Sequence, residues 1–182
     1  MIKIIDKFLA VPLAEVEWAN QAEYKDYQIG DQLFPKFALT GCDYRDLQKI
    51  EEAVGKKLQF TLQPMYRKYY SGEKQPTFIH SDVNEGEYTV IVFMNKINEH
   101  NGLSFWEHES GYDRANKLNY NRVENLTHDE EQWQIYHGVS AKFNRAVVFD
   151  SALFHSRWPK ENWQIGGDEA RLVKVMFLKE RK

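Results

Sequence analysis

The feature that most constrains this chain is a change of hydrophobic period near Leu58. Before that point the apolar residues recur at helical spacing. In "DYRDLQKIEEAVGKKL", Leu47, Ile50 and Val54 form one stripe, Asp43 stands where an N-cap belongs and Gly55 is a natural stop. "AEVEWANQAEYKDY", residues 14 to 27, predicts a second helix, with Val16, Ala19 and Tyr24 on one side. A short opening strand, "IKIIDKFL", precedes it, and "IGDQLFPKFALTG" between the helices reads as a loop or irregular strand. Beyond Leu58 the pattern is that of strands. "LQFTLQPMYRKYY" is β-prone, with Pro64 marking a bulge or an edge. "EYTVIVFMN" is apolar on both faces, as a central strand between two layers must be. "GLSFWEH", "AKFNRAVVFDS" and "ARLVKVMFLK" follow, separated by the polar segments 109–128 and 156–169. Long loops of this kind in a compact domain are either functional lids or disordered segments. "HDEEQWQIYH" is acidic and reads as a short helix with a solvated face.

Two helices followed by many strands predict a mainly β domain with flanking helices packed outside a sandwich or barrel. No linker, repeat or low-complexity tract divides the 182 residues. A single domain is expected, in which the strand and helices of 1–57 support a β core over 58–182. Aromatic residues make up 14% of the chain, which fits a β-rich core and also an aromatic-walled pocket. The net charge of −3 offers no basic field for nucleic acid. A single cysteine, Cys42, rules out an internal disulfide and a multi-cysteine zinc site, and fits a reducing cytoplasm. No window approaches the length of a membrane span, and the N-terminus is too interrupted by charge for a signal peptide, so a soluble protein is expected.

Just ahead of the apolar strand, "FIHSD" holds His80 and Asp82 two positions apart. In an extended segment both side chains project to the same side and can touch one ion. Chance pairs of this kind are common, so a third ligand is needed from another strand end. The candidates are His100, His108, His128, His137 and His155. His155 stands out because it follows "RAVVFDSALF", a strand ending in an Asp-Ser turn. Two imidazoles and one carboxylate form the facial set that leaves open positions on non-haem Fe(II). Zinc accepts the same donors but ordinarily keeps a single open position. His108, in "FWEHES", lies near the same region, and its simplest reading is a strand-end polar residue in solvent.

A second signal lies in the last strand. Alternation in "RLVKVMFLK" puts Arg171 on the same face as Val173, Val175 and Phe177. An arginine there is costly unless an anion meets it, and its planar fork suits a carboxylate. A protein Asp or Glu would serve equally well.

Taken in order, "MYRKYYSGEKQPTFIHSD", "NGLSFWEH", "NRAVVFDSALFHSRW" and "RLVKVMFLK" resemble the Fe(II)/2-oxoglutarate-dependent oxygenases. The resemblance is to the small prolyl-hydroxylase-like, phage or bacterial branch, and it covers roughly residues 60–180. It implies a double-stranded β-helix, a cupin-like jelly roll. It also implies that His80, Asp82 and His155 bind Fe(II), that Arg171 pairs with the distal carboxylate of 2-oxoglutarate, and that Tyr69 contacts this cosubstrate. Arg157 competes with Arg171 for that role, and the inward-facing strand position favours Arg171 over a residue expected in a loop. The implied reaction consumes O2 and 2-oxoglutarate, releases succinate and CO2, and normally hydroxylates a small molecule or a protein side chain. Two other readings stay open. One is a cupin-like metalloenzyme, an isomerase or a dioxygenase without 2-oxoglutarate. The other is a noncatalytic jelly roll gripping a ligand with Trp106, Trp158 and Trp163.

Overall fold

A computed structural model describes residues 1–29, 32–70, 78–95, 101–116, 129–160 and 170–182, with the backbone alone over 27–29 and 32–35. Eleven strands and two helices are named among them: β1 Ile2–Asp6, α1 Pro12–Gln21, β2 Lys25–Ile29, β3 Gln32–Leu39, α2 Tyr44–Val54, β4 Leu58–Phe60, β5 Met65–Tyr69, β6 Tyr88–Phe93, β7 Gly102–His108, β8 Trp133–Ser140, β9 Arg145–Asp150, β10 His155–Trp158 and β11 Arg171–Glu180. They build two facing antiparallel sheets. The large sheet runs β1-β9-β6-β11-β5-β3-β2, with β4 also paired to β11, and the small sheet runs β10-β7-β8.

Alternation along the central strands sorts the side chains into two cores. On β11, Leu172, Met176 and Leu178 point to one side, with Val90 and Val92 of β6 and Ala146 and Val148 of β9. They meet Phe8, Ala19 and Ile50, so the two helices cover this face. Val173 and Val175 point the other way, with Ile91, Phe93, Val147 and Phe149, and pack on Leu103, Phe105 and Val139 of the small sheet. A strand buried on both faces is apolar throughout, which is why "YTVIVF" carries no polar alternation. Its one polar member is Thr89, which is fully buried.

The best-marked helix forms as expected. Asp43 accepts a hydrogen bond from the Arg45 backbone N–H at 2.9 Å, and Gly55 ends α2 in the left-handed region at φ 76°. The helix expected over 14–27 is shorter. It begins with Pro12 at its first turn and stops at Gln21, because Lys25–Ile29 pairs as a hairpin with β3 instead. That pairing settles the segment around Phe37, expected as a loop or irregular strand, as a strand with a register shift against β2. The N-terminal segment thus adds three strands to the large sheet as well as two helices.

Two further expectations fail where edge pairing overrides local sequence. "HDEEQWQIYH" contains only one 3-10 turn, Glu130–Gln132, and then becomes β8 against β7. Residues 155–158, expected to begin a loop, form β10, with Arg157 opposite Leu103. The remainder of both long polar segments, 117–128 and 161–169, lies outside the described residues, as does Trp163. Among the described residues no helix is long and apolar enough to cross a membrane.

Candidate metal centre and anion pocket

His80 and His155 are brought together by their own backbones. Each donates its N–H to the other's carbonyl, at 3.0 and 2.8 Å, which stitches the segment before β6 to the start of β10. The Asp82 N–H donates to the Ser151 carbonyl at 2.8 Å, fixing the third side chain at the same place. One ligand atom from each of His80, Asp82 and His155 lies within 4.8 Å of the others. The two imidazole rings stand 4.4 Å apart, centre to centre. His155 Nε2 is 3.3 Å from Asp82 Oδ2, and His80 Nε2 is 3.9 Å from Asp82 Oδ1.

The surrounding contacts aim these atoms. Nδ1 of His80 lies 3.1 Å from the Phe78 carbonyl and Nδ1 of His155 lies 3.0 Å from the Leu153 carbonyl. A carbonyl only accepts, so each Nδ1 carries a proton and each ring turns its Nε2 toward Asp82. Asp82 Oδ2 accepts from Thr89 Oγ1 at 3.0 Å, and Thr89 shares a 2.8 Å hydrogen bond with the buried Ser151. Phe149 and Phe105 back the His155 ring at 4.6 and 6.4 Å. Nε2 of both rings and the Asp82 carboxylate therefore converge, a donor set that suits a divalent cation.

Exposure grades across the triad, from 39% at the His80 side chain to 14% at Asp82 and 4% at His155. Withdrawal from water and the neighbouring His155 ring push the His80 imidazole down to about 4. The Asp82 carboxylate and the Phe78 carbonyl act in the opposite direction without cancelling the shift. Burial works to raise the Asp82 carboxyl. The His155 and His80 imidazoles and the Thr89 hydroxyl outweigh it and leave the group below its usual range.

Arg171 lies on the inner face of β11, as the alternation predicts, and is only 1% exposed. Its Nη2 donates to the Gly102 carbonyl at 2.7 Å, whereas Nε and Nη1 are buried without a hydrogen-bond partner among the described residues. Tyr69 is its cross-strand neighbour on β5, with the guanidinium carbon 6.0 Å from the ring centre. Burial holds the Arg171 guanidinium down to about 10 against an opposing effect from Tyr69, with the Arg157 charge as a lesser contribution in the same direction as burial. It is still a cation at neutral pH. Gly102 is required where it stands, since a Cβ there would fall 1.9 Å from the Val139 carbonyl oxygen.

The structure thus places His80, Asp82 and His155 in one cluster and puts Arg171 and Tyr69 side by side on neighbouring strands of the large sheet. Arg157 is corrected from a loop residue to a strand residue, and it points inward two positions after His155. His108 is corrected as well. It is buried, with Nε2 at 2.9 Å from Gln132 Oε1 and Nδ1 accepting from the Ser110 N–H at 3.1 Å, so it ties a turn to the 3-10 segment. His137 lies on β8 outside the triad, and His100 and His128 fall outside the described residues. Trp106 is buried and donates to Ser156 Oγ, whereas Trp158 is 39% exposed. Thr89, Ser151 and Arg67 escape a reading for metal ligands. The lone threonine inside an apolar run and the period-two spacing of Arg67 and Tyr69 are the signals that mark them.

No family model matches the sequence, and no curated protein matches it. Solved structures do match along nearly the whole chain. The non-heme alpha ketoglutarate dependent epimerase SnoN from nogalamycin biosynthesis is 14% identical with a TM-score of 0.61, covering 98% of this chain and 78% of its own. EctD from S. alaskensis with bound Fe is 16% identical with a TM-score of 0.60, covering 97% and 72%. The viral collagen prolyl hydroxylase vCPH from Paramecium Bursaria Chlorella virus-1 is 11% identical with a TM-score of 0.52, covering 100% and 90%. At such identities the likeness is one of fold: this chain is a mainly β double-stranded β-helix of the kind found in iron- and 2-oxoglutarate-dependent enzymes.

Proposed function

We propose that this protein is an Fe(II)- and 2-oxoglutarate-dependent oxygenase, with His80, Asp82 and His155 as iron ligands and Arg171 as the partner of the distal carboxylate of 2-oxoglutarate. The observation that carries the reading is the Arg171 guanidinium, buried at the inner face with two N–H groups unpartnered among the described residues. A buried cation in that state calls for an anion, and a carboxylate matches its fork. The donor set fits the metal, since two imidazoles and one carboxylate suit non-haem iron. When bound, the iron and 2-oxoglutarate use O2 to oxidise a substrate C–H bond, with 2-oxoglutarate leaving as succinate and CO2 and hydroxylation as the expected outcome.

The remaining work belongs to the protein. The Phe78 and Leu153 carbonyls hold both imidazoles with Nε2 directed at the ion. Thr89 and Ser151 keep Asp82 ionised and oriented. Phe105 and Phe149 exclude water from the His155 side, and the half-exposed His80 leaves the substrate side open. Tyr69 flanks Arg171 and is offered as a second contact to the cosubstrate.

The test is succinate release from 2-oxoglutarate by protein reconstituted with Fe(II) anaerobically and then exposed to O2. Wild-type protein is expected to turn over slowly even without its main substrate, and Arg171→Ala and His155→Ala are expected to abolish release. Unchanged release in Arg171→Ala would instead favour a cupin-like metalloenzyme that has no use for that arginine. Protein that takes up no iron at all would point to a noncatalytic ligand-binding jelly roll.

A further inference from the structure

A second group of reactive side chains lies outside the metal triad, at the end of β7 opposite Gly102. The strand stops at His108, and "HESG" turns the chain back, with the Gly111 N–H donating to the His108 carbonyl at 2.7 Å. Gly111 sits in the left-handed region at φ 82°, and a Cβ there would meet nothing within 4 Å, so the turn is open on that side. The turn brings Ser110 Oγ to 2.6 Å from Nδ1 of His108. The histidine is buried, whereas Ser110 is exposed.

Three hydrogen bonds fix the direction of the pair. A carboxylate only accepts, so Asp129 Oδ2 takes its 2.8 Å hydrogen bond from Gln132 Nε2, which turns Gln132 Oε1 toward the ring. Oε1 accepts from His108 Nε2 at 2.9 Å, so Nε2 holds the ring proton. Nδ1 is the acceptor, since the Ser110 N–H donates to it at 3.1 Å. The Ser110 hydroxyl faces that same lone pair and donates to it.

Ser110, His108, Gln132 and Asp129 thus form a chain. A solvent-facing hydroxyl donates to a buried base, and a carboxylate holds the other nitrogen of that base through an amide. A hydroxyl within reach of a base that a third group orients is the arrangement of an activated nucleophile. Packing holds the base as well. Trp133 stands 5.0 Å from the His108 ring, edge to face, and itself packs on Phe154 at 4.7 Å.

We propose that Ser110 is a nucleophilic serine that takes an acyl group from an activated carboxylic ester. His108 is its general base, and Gln132 and Asp129 are positioning residues. Ser110 Oγ bonds to the acyl carbon as the bond from that carbon to the leaving oxygen breaks. The hydroxyl proton passes to His108 Nδ1 and from there to the departing oxygen, so the imidazole ends as it began and nothing is oxidised or reduced. The product is an ester on Ser110. Neither iron nor 2-oxoglutarate takes part, and the site is independent of the function proposed above.

The test incubates the full chain with p-nitrophenyl acetate. It follows p-nitrophenolate release and locates the acetyl group by peptide mass mapping. One acetyl group per chain, on Ser110, is expected. Ser110→Ala should remove that label, and His108→Asn should slow it about a hundredfold or more. Asp129→Ala should slow it about tenfold, the worth of one good hydrogen bond, and Asp129→Glu should restore part of the rate. Ser110 and Asp129 are exposed, so their variants should keep the fold, which circular dichroism checks. A serine that only shapes the turn predicts acetyl groups on lysines and the N-terminus alone, with p-nitrophenolate release unchanged in Ser110→Ala. That result overturns the inference, as does labelling of Ser110 at an undiminished rate in His108→Asn. If His108→Asn loses its fold, the Asp129 variants decide, and equal rates in Asp129→Ala and wild type overturn the inference.

Discussion

Replacing Arg171 with methionine is expected to stabilise the metal-free protein while removing its affinity for 2-oxoglutarate. Arg171 is 1% exposed, and its Nε and Nη1 lack hydrogen-bond partners among the described residues. Unsatisfied buried donors cost about 1–3 kcal/mol each. The guanidinium is held down to about 10 from the ordinary 12.5, which corresponds to roughly 3 kcal/mol. Methionine removes that burden and keeps an apolar stem against Phe93 and Val173. It forfeits the Nη2 hydrogen bond to Gly102, worth about 1 kcal/mol. The net expectation is a gain of about 2 kcal/mol, or roughly 4–8 °C in Tm for a chain of this size. Urea denaturation of metal-free protein measures it. In the Mn(II)-loaded protein the same change removes two charge-assisted hydrogen bonds, so the Kd for 2-oxoglutarate should rise about a hundredfold. Calorimetry reads that directly. Arg171→Lys separates charge from geometry, since it keeps the buried cation and should show no gain in stability. A metal-free Arg171→Met protein less stable than wild type, or a 2-oxoglutarate affinity that barely moves, would refute the reasoning.

On the other face of β11, Lys174 is fully buried and pairs with Glu15 of α1 at 2.9 and 3.0 Å, while Tyr66 donates to the same carboxylate at 2.6 Å. Lys174→Met alone should cost about 3–5 kcal/mol in urea denaturation, and the Glu15→Leu/Lys174→Met double variant should recover most of it; equal losses in both proteins would contradict the pairing. Gly102→Ala should lower both stability and 2-oxoglutarate affinity, because its Cβ collides with the backbone of β8 and displaces the carbonyl that holds Arg171; an alanine variant with wild-type Tm and affinity counts against the register. Arg145 and Lys142 hold the Asp6 carboxyl at about 2 in the folded protein, below its ordinary 3.8. Its contribution is therefore present above about pH 4 and is lost as the pH falls toward 2. Asp6 is 41% exposed, so the effect should stay below about 1 kcal/mol. Asp6→Asn should flatten the stability profile across that window alone, and a difference appearing only above pH 5 would assign it elsewhere.

The convergence of His80, Asp82 and His155 was legible in part from local geometry and in part from the order of the motifs around them. His80 and Asp82 share a side of an extended segment by period two, and His155 follows a strand whose apolar run is unmistakable. The central strands and α2 were equally plain, since burial on both faces and a capped stripe each leave a direct mark. Misreadings fall where long-range pairing decides. β8 and β10 belong to the small sheet, and nothing in "WQIYHGVS" or "HSRW" alternates strongly enough to announce a strand. Their pairing with β7 supplies what local preference lacks. That difference bears on the site, because Arg157 on β10 shares the face of His155 and stays a competitor of Arg171 for the cosubstrate carboxylate. His108 was misplaced for a similar reason. Its burial comes from Gln132, 24 positions away, which no local window connects to it.

His80, Asp82 and His155 are the proposed ligands of one divalent ion. Anaerobic titration with Mn(II), read by the loss of free-ion electron paramagnetic resonance, tests this without requiring turnover or a known substrate. Wild-type protein should bind one ion per chain. His80→Ala, Asp82→Ala and His155→Ala should each weaken binding by about a hundredfold or more, since even contacts one step behind a metal ligand are commonly worth ten- to a hundredfold. Binding that persists in Asp82→Ala, or a wild-type protein that leaves all the Mn(II) free, would contradict it.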